Sequence, residues 1–361
     1  MISVRDNKSG FHSYGVLRGN RMLKELSYMN RYIISRFRTR KPVILTHMVT
    51  AACNCKCKIC DIWRGQGGGG GGEMTTQEIF RMLDEAREMN FVAYVAWGGE
   101  PLLRPDIVDI LGHARDLGLY TCVTTNGFYL PQRADELADV ADLTWVSLDH
   151  HTRRHDYMRG LEGIFERATI GIVRLRDAGG KIAINCVLNK LNKDCVESMA
   201  GLARNLGVAL TFDDAEVFPG FNDEYVLSPE ESRDLFSRVL EYKRMGYRIL
   251  NSRHFIESRI NGKRYPCVQP NFFVKVTEDG KVTPFWCKRS SAVLGDLRRQ
   301  SLGKILDSGA FERFARMANG CRLCNNLTAL EVSLFHSAKR FFTNYYKIPN
   351  PYLDFILDFG F

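Results

Sequence analysis

The chain has 361 residues, 45% of them hydrophobic, and carries 50 Lys and Arg against 41 Asp and Glu. That is enough apolar material for one large α/β domain and a smaller one, and it excludes a disordered or fibrous chain. No run of about eighteen uncharged apolar residues occurs, so no bilayer-spanning helix is expected; the net charge of +9 suits either an anionic partner or a soluble basic surface.

No signal-peptide pattern opens the sequence, and its eleven cysteines include tight clusters. A reduced, cytoplasmic setting is therefore expected, with the clustered thiols as metal ligands rather than disulfides. Residues 1–41 form a first region without a strand-like run. Within it Met22, Leu23, Leu26, Met29, Ile33, Ile34 and Phe37 recur at helical spacing among Arg21, Lys24, Arg31, Arg36 and Arg38. Such a basic amphipathic helix either packs on the barrel encoded after it or lies on an anionic membrane.

Runs rich in β-branched residues at 43–49, 91–97, 120–125, 143–148, 181–188 and 208–213 alternate with helical patterns such as 75–89, 105–117, 161–178 and 194–206. Six βα units imply a parallel sheet with right-handed crossovers, and six suit a partial (βα)6 barrel over residues 42–249 better than a closed eight-stranded one. The chemistry of such sheets sits at the carboxyl ends of the strands. The glycine run Gly67–Gly72 between the first two units reads as a flexible insert without chemistry.

Directly after the first strand comes Cys53-Asn54-Cys55-Lys56-Cys57-Lys58-Ile59-Cys60. Cys53, Cys57 and Cys60 are separated by three and then two residues, a spacing at which a tight loop can present three thiolates to one iron–sulfur cube with a fourth iron open. Cys55 falls outside that register and reads as a bystander. A zinc site would want a fourth ligand nearby. The second strand ends in Trp97-Gly98-Gly99-Glu100-Pro101, where two glycines permit close backbone approach and a carboxylate suits an ammonium.

CxxxCxxC after the first strand, with GGE one unit later, resembles the radical S-adenosylmethionine enzymes across residues 43–325. The resemblance implies a [4Fe–4S] cluster on Cys53, Cys57 and Cys60 whose open iron chelates S-adenosylmethionine. It also implies that Ile59 packs on the adenine, that Gly98, Gly99 and Glu100 contact the methionine amino group, and that Asn126, Ser147, Asp149 and Asn185 reach the ribose and carboxylate. Asn126-Gly127 equally suits a turn. Reductive cleavage would give a 5′-deoxyadenosyl radical that takes hydrogen from an unactivated C–H bond, with a flavodoxin or ferredoxin as electron donor.

The sixth strand delivers Asp213, Asp214 and Glu216 to the barrel mouth, where clustered carboxylates serve as a base, orient a substrate or simply form an acidic loop. After a helical stretch from Pro229 to Met245, alternation around Asp279-Gly280 predicts a hairpin within a second small domain at 250–330. Cys267, Cys287, Cys321 and Cys324 lie in that segment, which resembles the Twitch/SPASM extension and implies one auxiliary [4Fe–4S] cluster; a four-cysteine zinc site is the alternative. Cys122, Cys186 and Cys195 read as small core residues. The tail, 331–361, is rich in aromatics with Lys339, Arg340 and Lys347 among them.

The expected function is substrate oxidation or C–C/C–X bond formation. The basic N-terminal helix and aromatic tail admit a lipid-like substrate and a peripheral membrane location. The alternatives are a peptide maturase, a Twitch-type alcohol dehydrogenase and, more remotely, a non-catalytic metal- or RNA-binding protein; no nucleic-acid partner is expected.

Overall fold

A computed structural model describes residues 41–65, 72–285, 287–324, 327–328 and 331. The helical pattern around 22–38, most of the glycine run and the aromatic tail lie outside the described residues.

Six parallel strands form in chain order: β1 (Ile44–Thr50), β2 (Ala93–Gly98), β3 (Tyr120–Thr125), β4 (Leu143–Ser147), β5 (Ile182–Leu188) and β6 (Ala209–Asp214). The helices between them are α1 (Thr76–Glu88), α2 (Ile107–Asp116), α3 (Leu130–Val140), α4 (Arg154–Arg159), α5 (Ile164–Asp177) and α6 (Val196–Leu206). The sequence pattern places all six strands and four of these helices. Helix α3 escapes it because its buried positions are Leu130, Ala134 and Leu137, and α4 because it is a polar six-residue turn. Helix α7 (Pro229–Arg244) starts on a capping box, in which Ser228 accepts from the Glu231 amide and Glu231 holds the Ser228 amide. It is followed by α8 (Arg253–Asn261).

The expected hairpin forms from β7 (Phe273–Val276) and β8 (Lys281–Thr283), with Gly280 at φ 84° closing the turn. It also continues the same sheet. Strand β7 pairs parallel with β1, from Ile44 opposite Phe273 to His47 opposite Val276, and the short β9 (Gly295–Asp296) pairs with β8. The order is β6-β5-β4-β3-β2-β1-β7-β8-β9. Buried Thr46 donates its hydroxyl to the Val274 carbonyl at 2.9 Å across this junction. Helices α9 (Leu302–Leu306) and α10 (Gly309–Ala318) complete the described elements.

The main core lies between sheet and helices and takes residues such as Leu45, Tyr94, Val123, Ile184 and Phe212. On the opposite sheet face Cys122, Leu143, Ala183 and Ala209, with Tyr120 and Trp145 against them, make a separate apolar cluster. One step further along the strands the same face becomes polar: Ser147 pairs with Asn185, and Asn185 with Thr211. The barrel thus has an apolar floor and a polar upper layer, set by register alone. No described helix is long and apolar enough to cross a membrane. Replacing fully buried Phe212 by Ala is expected to cost about 3–5 kcal/mol of stability by opening a cavity, measurable as a lower urea midpoint with unchanged slope.

Candidate active site

Strand β1 slips register with β2 between Met48 and Thr50. The chain beyond the slip is held by β2: the Gly99 amide donates to Thr50 O at 2.9 Å and the Glu100 amide to Ala52 O at 2.8 Å. A Cβ on Gly99 would stand 2.1 Å from Ala52 O, and one on Gly98 2.3 Å from Thr50 O. The two glycines therefore let the segment that launches the cysteine loop lie directly on the end of β2.

The loop rests on α4. Amides of Lys56 and Lys58 donate to the carbonyls of Arg159 and Met158 at 2.9 and 3.1 Å, and a Cβ on Gly160 would stand 2.5 Å from Lys56 O. Beneath it the Arg159 guanidinium grips Asp149 Oδ2 at 2.6 and 2.7 Å, while Asp149 Oδ1 accepts the Val187 amide at 2.9 Å. The Arg159 charge acts on both Cys57 and Cys60. Sequence reasoning missed this arginine. Its one local signal is the Arg-Gly pair, in which Gly160 closes α4 at φ 61°.

Three side chains expected to face the cofactor have other partners. Glu100 is fully buried and accepts from Leu102 N, Thr125 Oγ1 and Asn126 N at 3.0, 2.6 and 2.7 Å. A buried carboxylate needs such donors, so Glu100 ties β2 to β3; burial still raises its pKa. Asp149 is spent on Arg159 and Val187 for the same reason. Asn126 donates its amide to Asn54 Oδ1 at 2.7 Å and to Cys55 Sγ at 3.2 Å, so it holds the cysteine loop. The Asn126-Gly127 turn also exists, with Asn126 Oδ1 accepting the Phe128 amide at 2.9 Å. Ser147 and Asn185 do lie side by side on the polar layer, and Thr211 Oγ1 donates to Asn185 Oδ1 at 2.9 Å. The Ile59 carbonyl accepts Asn222 Nδ2 at 3.3 Å from the loop after β6.

Cys53, Cys55, Cys57 and Cys60 pack in one cluster with Ile164, Phe128 and Leu161. The Cys55 hydrogen bond, with help from Arg159, lowers Cys57 to about 7; the Cys55 hydrogen bond likewise lowers Cys53, whereas burial raises Cys60 to about 11. Cys55 is raised by its hydrogen bonds to both neighbours and then by burial.

The β6 carboxylates separate into distinct roles. Asp214 pairs with Arg259 and accepts Ser232 Oγ at 2.9 Å, which makes it a brace between β6, α7 and α8 rather than a site residue. Asp213 accepts the Leu327 amide at 3.3 Å, and burial pushes its pKa up to about 7 against the pull of Arg259. Glu216 pairs with Lys288 at 3.1 Å. Both contacts reach the C-terminal cysteine segment, where Cys267 donates its amide to Cys321 O at 2.6 Å and its thiol feels Cys287, Cys321 and Cys324. Burial raises the Cys267 pKa to about 11 and also raises that of Cys324.

Residues 48–203 match the Radical SAM superfamily, and residues 259–326 match an iron–sulfur cluster-binding domain, SPASM. The chain carries a radical SAM domain followed by a SPASM iron–sulfur domain. A relative described as AdoMet-dependent heme synthase from Methanosarcina barkeri is 29% identical over 79% of this chain and 89% of its own length. A PqqA peptide cyclase from Methylocella silvestris is 34% identical over 37% of each chain, so this match spans little more than a third of that relative. Among solved structures, Streptococcus suis SuiB bound to S-adenosylmethionine has a TM-score of 0.65 at 15% identity, over 76% of this chain and 68% of its own, a likeness of fold.

This radical SAM protein is an enzyme with S-adenosylmethionine, a [4Fe–4S] cluster and an additional iron–sulfur centre as cofactors. The thiols fit that chemistry. Soft sulfur donors are gathered in two places, Cys53 to Cys60 in one apolar cluster and Cys267 beside Cys287, Cys321 and Cys324.

Replacing Arg159 by Met strands the buried Asp149 carboxylate, an expected loss of about 3–5 kcal/mol. Thermal unfolding of the cluster-free chain would register it; an unchanged midpoint would mean the pair contributes nothing.

Proposed function

We propose that this radical SAM enzyme carries out a two-electron oxidation at an unactivated C–H position of a small molecule seated on the polar layer of the barrel. In this reading Cys53, Cys57 and Cys60 hold the cluster that binds S-adenosylmethionine, and Cys267, Cys287, Cys321 and Cys324 hold the auxiliary one. When bound, these groups supply a radical able to remove a hydrogen atom and an acceptor for the electron left behind. Ile59, the Gly98-Gly99 backbone, Ser147 and Asn185 line the place for the nucleoside and methionine. Asp213 takes the substrate proton.

The observation that carries this reading is Asp213, a carboxylate with a pKa near neutrality that projects from the same sheet face as Ser147 and Asn185 and is bonded to the auxiliary cysteine segment. A general base poised near the working pH is the efficient one. The hydrogen atom would leave the carbon toward the first cysteine loop, and the remaining electron and the proton of the adjacent atom would leave toward the auxiliary segment and Asp213, so that a double bond forms.

For the substrate, similarity over 79% of the chain to an AdoMet-dependent heme synthase favours a haem-related tetrapyrrole. Lys275, whose Nζ lies 5.3 Å from the centre of the Trp97 ring, would suit the carboxylates and flat face of such a molecule. A peptide substrate is the second reading, on the strength of the peptide cyclase match. The features that admitted a lipid lie outside the described residues and carry no proposal. The one-electron donor is assigned to the flavodoxin or ferredoxin class.

The test is anaerobic reconstitution with iron and sulfide, followed by reductant and S-adenosylmethionine. Wild type should hold about eight irons if both cubes fill and should release 5′-deoxyadenosine. Asp213→Asn should keep that release while product formation falls about 10²–10⁴-fold; a variant with full product formation would refute the base role. The pH dependence has a definite sign. A carboxyl raised to about 7 in the folded chain binds more protons there than when unfolded, so its stabilising contribution is present at acid pH and fades as pH climbs through 7. Asp213→Asn should therefore flatten the fall of the unfolding midpoint between pH 5 and 8.

A further inference from the structure

The hydrogen bonds around Asn126 fix the orientation of two side-chain amides in succession. A backbone N–H can only donate, so the Phe128 amide, 2.9 Å from Asn126 Oδ1, identifies that atom as the oxygen and turns Nδ2 toward the cysteine loop. Asn126 Nδ2 then donates to Asn54 Oδ1 at 2.7 Å. With its oxygen engaged by Asn126, Asn54 has its own Nδ2 as the remaining polar atom. That Nδ2 is buried and has no hydrogen-bond partner.

A buried amide donor without an acceptor is uncommon, because folding strips it of water and returns nothing. The acceptors around it are already engaged. Glu100 accepts from Leu102, Thr125 and Asn126, Cys55 Sγ accepts from Asn126, and Cys53 Sγ accepts from the Cys55 amide. The orphaned donor also lies in the segment that faces the cofactor. Asn54 falls between Cys53 and Cys55, two residues beyond Ala52, whose carbonyl takes the Glu100 amide at the end of β2.

We propose that Asn54 is a cofactor-binding residue whose Nδ2 donates to the carboxylate of S-adenosylmethionine, with Asn126 as the positioning residue that orients it. This rests on the assignment of Cys53, Cys57 and Cys60 to the cluster at which that cofactor binds. S-adenosylmethionine carries a sulfonium, an ammonium and one carboxylate, so the carboxylate is its anionic acceptor, and a donor gains most from an acceptor that is charged. The amino and carboxylate groups share one carbon. A head group seated on the Gly98-Gly99 backbone therefore brings its carboxylate to the loop that lies on those glycines.

The experiment uses the full chain reconstituted anaerobically with iron and sulfide and kept oxidised, so that the cofactor binds without being cleaved. Affinity is read by equilibrium dialysis against radiolabelled S-adenosylmethionine. Asn54→Ala removes the donor, and its Kd should rise about 10–100-fold at wild-type iron content. Asn54→Asp keeps an oxygen for Asn126 but sets a negative charge where the donor was, so it should bind more weakly still. Asn126→Ala should also weaken binding, with little further loss when Asn54 is already Ala. Wild-type affinity in Asn54→Ala overturns the proposal, and so does an Asn54→Asp chain that binds no more weakly than Asn54→Ala, because the acceptor would then not be an anion. Loss of iron from both Asn54 variants overturns it as well, since the residue would then hold the loop rather than the cofactor. The underlying assignment fails separately: a Cys53→Ala chain with wild-type iron and wild-type affinity refutes it, whatever the Asn54 variants do.

Discussion

The Arg159 guanidinium is buried beside the Asp149 carboxylate, and withdrawing two such charges from water costs several kcal/mol per ion before their attraction offsets it. The offset requires close, directed contact, which the two short N–H to Oδ2 bonds provide. Because Asp149 follows β4 and also accepts from Val187 on β5, the arginine is fixed relative to the sheet. Because its own carbonyl receives the Lys56 amide, the cysteine loop is fixed relative to the arginine. The positive charge then lies under Cys57 and favours its thiolate, the form that binds iron. A change to this pair would disturb thiol geometry and thiol chemistry together.

Much of the fold was legible because its strands are short, apolar and regularly spaced by amphipathic helices. Capping boxes at Thr75–Glu78 and Ser228–Glu231 mark two helix starts in the sequence itself. The parallel pairing of β7 with β1 was not legible: an Asp-Gly turn announces a hairpin but says nothing of where it docks, and Thr46 and Val274 are 228 residues apart. Such pairing depends on edge availability and burial, which no local pattern records.

The site was legible in part for the same reason. Spacing singles out Cys53, Cys57 and Cys60, and strand ends single out Ser147 and Asn185. It does not reveal that Glu100 and Asp149 are consumed internally, because a carboxylate at a strand end looks alike whether it faces a ligand or a buried arginine. Partner geometry decides, and for Asp149 the partner is ten residues away on a helix with no apolar rhythm. Cys55 illustrates the reverse case, a residue set aside by spacing whose sulfur accepts from Asn126 and whose amide donates to Cys53 Sγ.

The two thiol groups are tied to one barrel mouth by different strands. The first leans on β2, β3 and, through Arg159 and Asp149, on β4 and β5. The second touches β6 through Asp213 with Leu327 and Glu216 with Lys288. Asn222, anchored to the Glu216 carbonyl at 2.8 Å and to the Ile59 carbonyl, connects them around the rim. A substrate on the Ser147–Asn185–Thr211 layer would therefore have the first cysteine loop on one side and Asp213 with the auxiliary segment on the other. In the proposed oxidation, placement of this kind would separate the start of the reaction from its completion. It also explains why β7 joins the sheet: a hairpin anchored to β1 holds the segment beginning at Cys267 to the same frame that launches Cys53.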